Sequence, residues 1–281
     1  GAGYIGMECA FSLANIGLRV SILEKENQIL PYSFDADMST IIEKHAEECD
    51  IRIVKSCTVK RVEKRYVVFS DGVIEYDMLF LATGAERNVK LARECGLEVS
   101  DGIVVNEYMQ TSDKNIYACG DCVSIGNAIP IATNAYRQAI IAGRNAAGRN
   151  AIYRHGVNTI VAKFGDIIAG ATGMVEKAAR QKNIEVISAS YSGFSKAHYH
   201  PKRMPVHVKL ITSKKGILVG AQIIGHEEIA GRLNMLAFAI QKKVNIEEIA
   251  IADTCYAPPV APLPDLIVVC AEICMKKLGM L

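Results

Sequence analysis

The sequence predicts an α/β fold that is followed by an α+β module with an antiparallel sheet. A glycine fingerprint, Gly1-Ala-Gly3-Tyr-Ile-Gly6, begins the chain, and helical and strand patterns alternate after it, as in a parallel α/β unit. From residue 159 onward, short strands with alternating apolar residues follow one another closely, which predicts an antiparallel sheet with helices to one side. The change from the α/β pattern to closely spaced strands begins near Asn150, so we expect a domain boundary there.

The composition excludes several classes of protein. The 281 residues are 50% hydrophobic and 22% charged, which excludes disordered and fibrous chains and allows about two domains. The net charge is +2, and neither the basic nor the acidic residues cluster along the sequence. The charge pattern therefore does not indicate binding to nucleic acid or to an acidic membrane surface. No apolar run approaches the roughly 18 residues of a membrane span. Nine scattered cysteines argue against a disulfide framework and favour a cytoplasmic protein.

The fingerprint predicts a Rossmann-like dinucleotide site. Helical spacing over residues 5–16 follows it, Gly17 ends the helix, and a strand is predicted at 18–23. The glycines allow a tight turn and close approach of a pyrophosphate, which the helix N-terminus attracts. Glu24 closes the strand, where an acid accepts hydrogen bonds from the adenine ribose and favours NAD over NADP. No strand precedes Gly1, so we expect the chain to be a piece of a larger protein.

The remaining helices and strands are predicted from the periodicity of the apolar residues and from the turn residues between them. In the first part we predict helices at 35–49, with Ser33 or Asp35 as N-cap, and at 132–150, a meander of strands at 59–62, 66–70 and 73–75, and further strands at 51–54, 78–82, 103–105 and 116–119. In the second part we predict strands at 159–164, 167–172, 186–192, 206–211 and 217–224, and helices at 175–181, 229–242 and 265–278, with His226, Glu227 and Glu228 as a helix start.

Two later segments suit a flavin. Residues 111–121 are a polar loop and a strand that ends in Gly120-Asp121, where a carboxylate can accept hydrogen bonds from a polyol such as the ribityl chain. A helix follows Ile131, and its unpaired N–H groups can face an electron-rich ring and stabilise negative charge on it.

Five motifs in this order resemble the pyridine nucleotide–disulfide oxidoreductases, and more narrowly their branch of NADH oxidases, NADH peroxidases and coenzyme A disulfide reductases. The motifs are GAGYIGME, LATGAERN, TSDKNIYACGD, IPIATNAYRQA and CYAPPVAP, and the resemblance spans nearly the whole chain. It implies FAD and NAD(P)H as cofactors, with NADH favoured by Glu24. It also implies an incomplete NAD(P)-binding domain at 1–84, the returning part of an FAD domain at 85–150, and a dimerisation domain at 151–281 that forms a homodimer.

The resemblance also implies a set of cofactor-binding residues. Gly1, Gly3, Ile5 and Gly6 would lie at the pyrophosphate, Glu24 at the ribose, Tyr32 beside the adenine, Gly84 near the nicotinamide, Tyr4 over the flavin ring, Gly120 and Asp121 at the ribityl chain, and the backbone of Ile131, Ala132 and Thr133 at the pyrimidine edge.

Tyr256 is the catalytic candidate. No histidine lies between His226 and the C-terminus, so the His and Glu acid–base pair of glutathione-reductase-like relatives is absent. The coenzyme A disulfide reductase branch has Tyr-Ala-Pro-Pro at this place, and the resemblance implies that Tyr256 approaches the partner subunit's redox cysteine. There it can donate a hydrogen bond to a leaving thiolate. The alternative is a tyrosine that only packs the dimer interface.

Two further clusters have competing interpretations. Cys119-Gly-Asp-Cys122 has the spacing of a redox dithiol, but we favour buried small residues because Asp121 already has a flavin role. The histidines at 198, 200 and 207 favour a loop and a strand start over a metal site, since no acid or cysteine stands at ligand spacing beside them. The basic residues His200, Lys202 and Arg203 suit either a coenzyme A phosphate or a solvated loop.

The expected function is an FAD-dependent oxidoreductase. Hydride would pass from NAD(P)H through the flavin to a redox cysteine upstream of Gly1, and then to a small disulfide or persulfide, such as coenzyme A disulfide, or to oxygen. NADH oxidase or peroxidase chemistry is the alternative within the family. The alternative from another class is a non-catalytic nucleotide-binding and dimerisation module. We expect these 281 residues alone to be inactive and to bind NAD weakly.

Overall fold

A computed structural model describes residues 1–227 and 229–281. They form two compact units, one of residues 1–84 together with 159–281, and one of residues 85–158. The division at 84 and 150 into three domains remains a prediction. None of the described helices is both long and apolar enough to span a membrane.

The first unit begins with the predicted alternation of helices and parallel strands. Helix α1 (Tyr4–Asn15) starts after Gly3, and Gly17 follows its end with a φ of +85°. Strand β1 (Val20–Leu23) runs parallel to β2 (Ile51–Val54), and α2 (Ala36–Glu48) connects them. Asp35 holds the predicted N-cap position of α2, but its side chain makes no capping hydrogen bond there; it accepts one from the N–H of Glu176 instead.

The predicted meander is present as three antiparallel strands. They are β3 (Val59–Val62), β4 (Tyr66–Phe69) and β5 (Gly72–Glu75). The next predicted strand, 78–82, is wrong: Met78 and Leu81 are exposed, and the segment belongs to no sheet of the described chain. An apolar run becomes a strand only when a neighbour satisfies its backbone, and β1 pairs with β2 alone.

The second unit holds α3 (Lys90–Glu94), β6 (Ile103–Val104), β7 (Val123–Ser124) and α4 (Ala132–Ala146). Residues 116–119 form one isolated bridge, Tyr117 to Gln110, in place of the predicted strand, because tight turns at Met109 and Asp113 leave little backbone to pair. Helix α4 ends four residues earlier than predicted. The side chain of Asn145 bonds both backbone groups of Ala151 there, which turns the chain away.

The first unit resumes with a five-stranded antiparallel sheet in the order β10-β11-β12-β9-β8. Its strands are β8 (Ile160–Phe164), β9 (Ile167–Gly173), β10 (Val186–Phe194), β11 (Pro205–Ser213) and β12 (Leu218–Gly225), and its helices are α5 (Glu176–Gln181), α6 (Ile229–Gln241), α7 (Ile246–Ala250) and α8 (Leu266–Leu278). The predicted strands and helices of this part are present, with shifted ends, and α7 is additional. Glu228, expected at the start of α6, lies outside the described residues.

Both faces of this sheet are buried. Alternate residues of a strand face opposite sides, so Ile223 joins a core with α6 and α8, whereas Ile224 joins a core with α1 and α2. The second core connects residues 1–51 with strands β8 and β9, and Phe11 stacks on Phe164 with ring centres 5.9 Å apart. The fingerprint helix is therefore packed directly against the antiparallel sheet.

Candidate functional site

The three glycines of the fingerprint have different surroundings. A Cβ on Gly6 would clash with the carbonyl oxygen of Gly1, and a Cβ on Gly1 would clash with that of Ala82. At Gly3 a Cβ would meet no atom within 4 Å, and the residue is exposed at the start of α1. Gly1 and Gly6 thus allow close backbone packing, while Gly3 leaves open space at the helix N-terminus, as a pyrophosphate site requires.

Glu24 lies directly beside this loop. It is 7% exposed, and its carboxylate accepts hydrogen bonds from the N–H of Ala2 at 2.6 Å and of Glu26 at 2.9 Å. A carboxylate has about four acceptor positions, so these two bonds leave capacity for ribose hydroxyls. The geometry fits the predicted ribose contact, and it adds that Glu24 also holds the glycine loop.

The other predicted nucleotide residues surround the loop. Tyr32 is 84% exposed in a turn that is fastened to the loop, since the N–H of Leu30 donates to the carbonyl of Ala2 at 3.1 Å. Ile5 is exposed on the first turn of α1. Gly84 is exposed and has a φ of +104°. The nicotinamide, adenine and pyrophosphate assignments of these residues remain predictions.

Tyr4 faces the interior of the first unit. Its ring stacks on Phe164 with centres 6.3 Å apart, and its hydroxyl is buried without a hydrogen-bond partner among the described residues. Burial raises the pKa of Tyr4 to about 12. The expected position of Tyr4 over a flavin ring remains a prediction. It requires the side chain to turn out of the core of the first unit.

The predicted flavin residues of the second unit lie in the turn at 120–122 and at the start of α4. Gly120 has a φ of +90°, and its N–H donates to the buried side chain of Gln138 on α4 at 2.8 Å. A Cβ on Gly120 would lie 3.8 Å from that of Ala135, so Gly120 lies beside the N-terminal half of α4, and the next residue, Asp121, is exposed. Ile131 is the extended N-cap, and the N–H groups of Ala132 and Thr133 have no acceptor within the described part of the chain. The exposed carboxylate and the free helix N–H groups both belong to this unit, and their joint role at a flavin remains a prediction.

The cysteines beside Asp121 do not look like a reactive dithiol. Burial raises the pKa of Cys119, and the thiol of Cys122 donates to the carbonyl of Cys119 at 3.4 Å. Reactive cysteines need a lowered pKa, so this geometry favours the interpretation as small, partly buried residues.

Tyr256 lies beside a second tyrosine that sequence analysis missed. The hydroxyl oxygens of Tyr256 and Tyr199 are 3.5 Å apart, and the pKa of Tyr199 is raised by its hydrogen bond to Tyr256. The N–H of Ala197 donates to the carbonyl of Pro258 and joins the two loops. Tyr199 stands between His198 and His200 in the sequence, and only the two histidines of this segment were considered as a possible site.

The basic residues His200, Lys202 and Arg203 share one turn, in which the N–H of Lys202 donates to Nδ1 of His200 at 3.2 Å and the N–H of Arg203 donates to the carbonyl of His200 at 3.1 Å. His207 bonds Ser192 at 2.7 Å, and burial lowers its pKa. The guanidinium of Arg203 lies over the ring of Phe194. Among the described residues, no three His, Cys, Asp or Glu side chains form a metal-binding group; the absence of a metal site remains a prediction, as does any coenzyme A contact.

Two family models match the chain in sequence. Residues 1–139 match the pyridine nucleotide-disulphide oxidoreductase model, and residues 160–265 match the dimerisation domain of the same family. These matches confirm the predicted α/β part and the antiparallel module that follows it.

Curated proteins of this family are similar over almost the whole chain. An NADH oxidase of Methanocaldococcus jannaschii is 38% identical over 99% of this chain and 65% of its own length. A CoA-dependent NAD(P)H sulfur oxidoreductase of Pyrococcus abyssi is 32% identical over 97% of this chain and 64% of its own length. The chain thus spans slightly less than two thirds of the length of each of these relatives.

Solved structures agree with these relatives. An NAD-dependent persulfide reductase from A. fulgidus superposes with a TM-score of 0.95 at 31% identity, over 99% of this chain and 55% of that one. A reduced CoADR-RHD from Bacillus anthracis gives 0.94 at 30% identity, over 99% and 52%. On these matches and on the geometry of the glycine loop, the chain belongs to the pyridine nucleotide-disulphide oxidoreductase family.

Proposed function

We propose that this protein is an FAD-dependent oxidoreductase that takes hydride from NADH. A redox cysteine, which the resemblance places outside these 281 residues, would attack a small disulfide or persulfide and release a thiolate or hydrosulfide. The two electrons from NADH would then reduce the mixed disulfide or cysteine persulfide that forms and restore the cysteine. Similarity to an NADH oxidase, a sulfur oxidoreductase and a persulfide reductase supports this chemistry. Oxygen is the alternative acceptor, and the M. jannaschii relative favours it.

The glycine loop carries the proposal. Gly3 leaves open space at the N-terminus of a twelve-residue helix, where free N–H groups and the helix dipole attract a pyrophosphate. Glu24 supplies an acceptor for the ribose at the same loop and would repel a 2′-phosphate. NADH is therefore the coenzyme that the residues favour.

The second unit would hold part of the flavin. FAD, when bound, supplies a ring that accepts hydride and passes electrons onward. Asp121 would accept hydrogen bonds from the ribityl hydroxyls, and the free N–H groups at Ala132 and Thr133 would stabilise negative charge at the pyrimidine edge. The chain's own contribution there is orientation and charge stabilisation.

The acceptor side would be completed by a second copy of the chain. The match of residues 160–265 to a dimerisation domain supports a homodimer through residues 151–281. The paired hydroxyls of Tyr256 and Tyr199 would face the partner subunit's redox cysteine and donate a hydrogen bond to a leaving thiolate. The free cysteines favour a reducing, cytoplasmic location.

Gly3→Ala tests the nucleotide site without disturbing the fold. Because a Cβ at this position meets no protein atom, the variant should fold and hold flavin like the wild type. The methyl group would occupy the space of the pyrophosphate, so we expect NADH binding to weaken at least tenfold, or by about 1.4 kcal/mol or more. The measurement is calorimetric titration with NAD⁺ and steady-state oxidation of NADH, on protein expressed from its complete coding region.

Gly143→Ala is the matched control. Gly143 lies inside α4, its Cβ would also meet nothing within 4 Å, and we expect unchanged NADH binding. Wild-type protein that holds no flavin and oxidises no NADH would instead favour the non-catalytic nucleotide-binding and dimerisation module. Unchanged NADH binding by Gly3→Ala would remove the fingerprint from the nucleotide site.

A further inference from the structure

A buried lysine lies at the centre of a charged cluster outside the glycine loop. The side chain of Lys209 on β11 is 4% exposed, and its Nζ lies 2.8 Å from Asp37, 2.8 Å from Glu176 and 3.2 Å from Asp35. Burial alone would lower the pKa of Lys209, but hydrogen bonds to Asp37 and Glu176 raise it. The ammonium therefore stays charged and holds three carboxylates, an arrangement that buried lysines require.

A glutamine continues this cluster across the sheet. Gln222 on β12 is the register partner of Lys209 and is fully buried. Its side-chain oxygen accepts from the N–H of Asp35 at 3.0 Å, and its amide donates to the Asp35 carboxylate at 2.7 Å. The other carboxylate oxygen of Asp35 accepts from the N–H of Glu176 at 3.0 Å. Asp35 is thus fixed from the sheet by its backbone N–H and one carboxylate oxygen, and from the start of α5 by the other oxygen.

Asp35 ends the turn that borders the nucleotide site. This turn carries the exposed Tyr32, and its Leu30 N–H donates to the carbonyl of Ala2 in the glycine loop. Gln28 holds it from inside by a bond to the carbonyl of Phe34 at 2.9 Å. The N–H of Phe34, the residue before Asp35, donates to the carbonyl of Leu30 at 3.1 Å. Hydrogen bonds and short stretches of backbone therefore connect strands β11 and β12 through Asp35 to the loop.

We propose that Lys209 and Gln222 are positioning residues, which set the turn of residues 30–35 and the glycine loop for the dinucleotide from the antiparallel sheet. The role rests on the proposed NADH binding, although neither residue lines the fingerprint itself. Fully satisfied buried polar networks specify one arrangement. Removal of the ammonium would leave three carboxylates facing one another, which repel, and Asp35 would move together with the turn.

The test compares Lys209→Met with Lys209→Arg in protein expressed from its complete coding region. We expect Lys209→Met to weaken NAD⁺ binding about tenfold, because small displacements of positioning groups have large effects, and to raise KM for NADH while kcat changes little. Backbone hydrogen exchange of residues 29–34 should accelerate even without nucleotide. Lys209→Arg keeps a charge for the carboxylates and should recover most of the affinity and protection.

Lys214→Met is the matched control, since Lys214 only pairs with Glu185 in an exposed ion pair. If Lys209→Met does not fold, Gln222→Leu replaces it, because it removes the two bonds to Asp35 and leaves the ion pairs; exposed Gln181→Leu is its control. A destabilised variant with unchanged NAD⁺ affinity and unchanged exchange at 29–34 would overturn the proposal. Wild-type protein that does not bind NAD⁺ would overturn the proposed function instead, while the exchange measurement still decides whether the network holds the turn.

Discussion

At the scale of single residues, the proposed role of Tyr256 as a proton donor involves its neighbour Tyr199. A lone exposed phenol is a weak acid at neutral pH. In the structure its hydroxyl lies 3.5 Å from that of Tyr199, so one phenol can accept from the other while the second proton points toward a ligand. The pair offers a donor of fixed direction, which suits a leaving thiolate better than one freely rotating hydroxyl.

Tyr256→Phe should separate the two halves of the reaction. We expect the reduction of a disulfide or persulfide to fall about a hundredfold, the usual scale for a proton donor. Reduction of the flavin by NADH in rapid mixing should stay unchanged, since Tyr256 has no role there. Tyr66→Phe, at an exposed residue of the central strand of the meander, is the control. Equal rates for Tyr256→Phe and wild type in both halves would show that Tyr256 only packs the dimer interface.

At the scale of elements, helix α8 carries two buried thiols. Cys270 and Cys274 lie on the face of α8 that packs on the sheet, and their thiols contact backbone carbonyls of β10 and β11. Burial raises the pKa of Cys270 to about 12 and of Cys274 to about 11, from an ordinary 9.0. The thiols are therefore inert small core residues.

These shifts predict a loss of stability at alkaline pH. Between pH 9 and about 11 to 12, the unfolded chain releases these protons and the folded chain keeps them, so the free energy of unfolding falls as pH rises. Urea unfolding at pH 8, 9 and 10 should show the decrease. Cys270→Ala should flatten the dependence, and Cys95→Ala, at an exposed cysteine, should not. An equal slope in all three proteins would contradict the assignment.

The strands and helices that could be predicted from the sequence are those whose ends are set by residues close to them in the chain. The meander has a turn at Asp71-Gly72, and α8 has Asp265 as an N-cap that accepts from the N–H of Ile267, so nearby residues fix them. The segment at 78–82 failed because its state depends on a strand partner rather than on its apolar residues. Sequence alone placed the glycine loop and Glu24 close together. It could not place Lys209 beside Asp37, since 172 residues separate them.

At the scale of the whole molecule, the proposed homodimer would cover apolar residues that are exposed in the single chain. Phe238 on α6 is 61% exposed and Ile251 after α7 is 83% exposed. Large exposed apolar side chains can form an interaction site, and both residues lie within the part of the chain that matches a dimerisation domain. Dimer formation would remove them from water.

The double variant Phe238→Glu with Ile251→Glu should therefore be monomeric. Two buried carboxylates without partners would cost more than the interface gains, and sedimentation velocity should show one copy where the wild type shows two. Val73→Glu places the same charge on the exposed face of β5 and should leave the dimer intact. A double variant that remains dimeric would place the interface elsewhere.

The bonds between Asp35 and Gln222 also set the order of events during synthesis. They join residues that are 187 positions apart, so the turn beside the glycine loop cannot reach its final form until β12 has left the ribosome. At roughly 5–20 residues per second, the wait is about 10–40 s. The nascent Rossmann-like part spends that time without its covering sheet, and its apolar helix faces are then targets for chaperones.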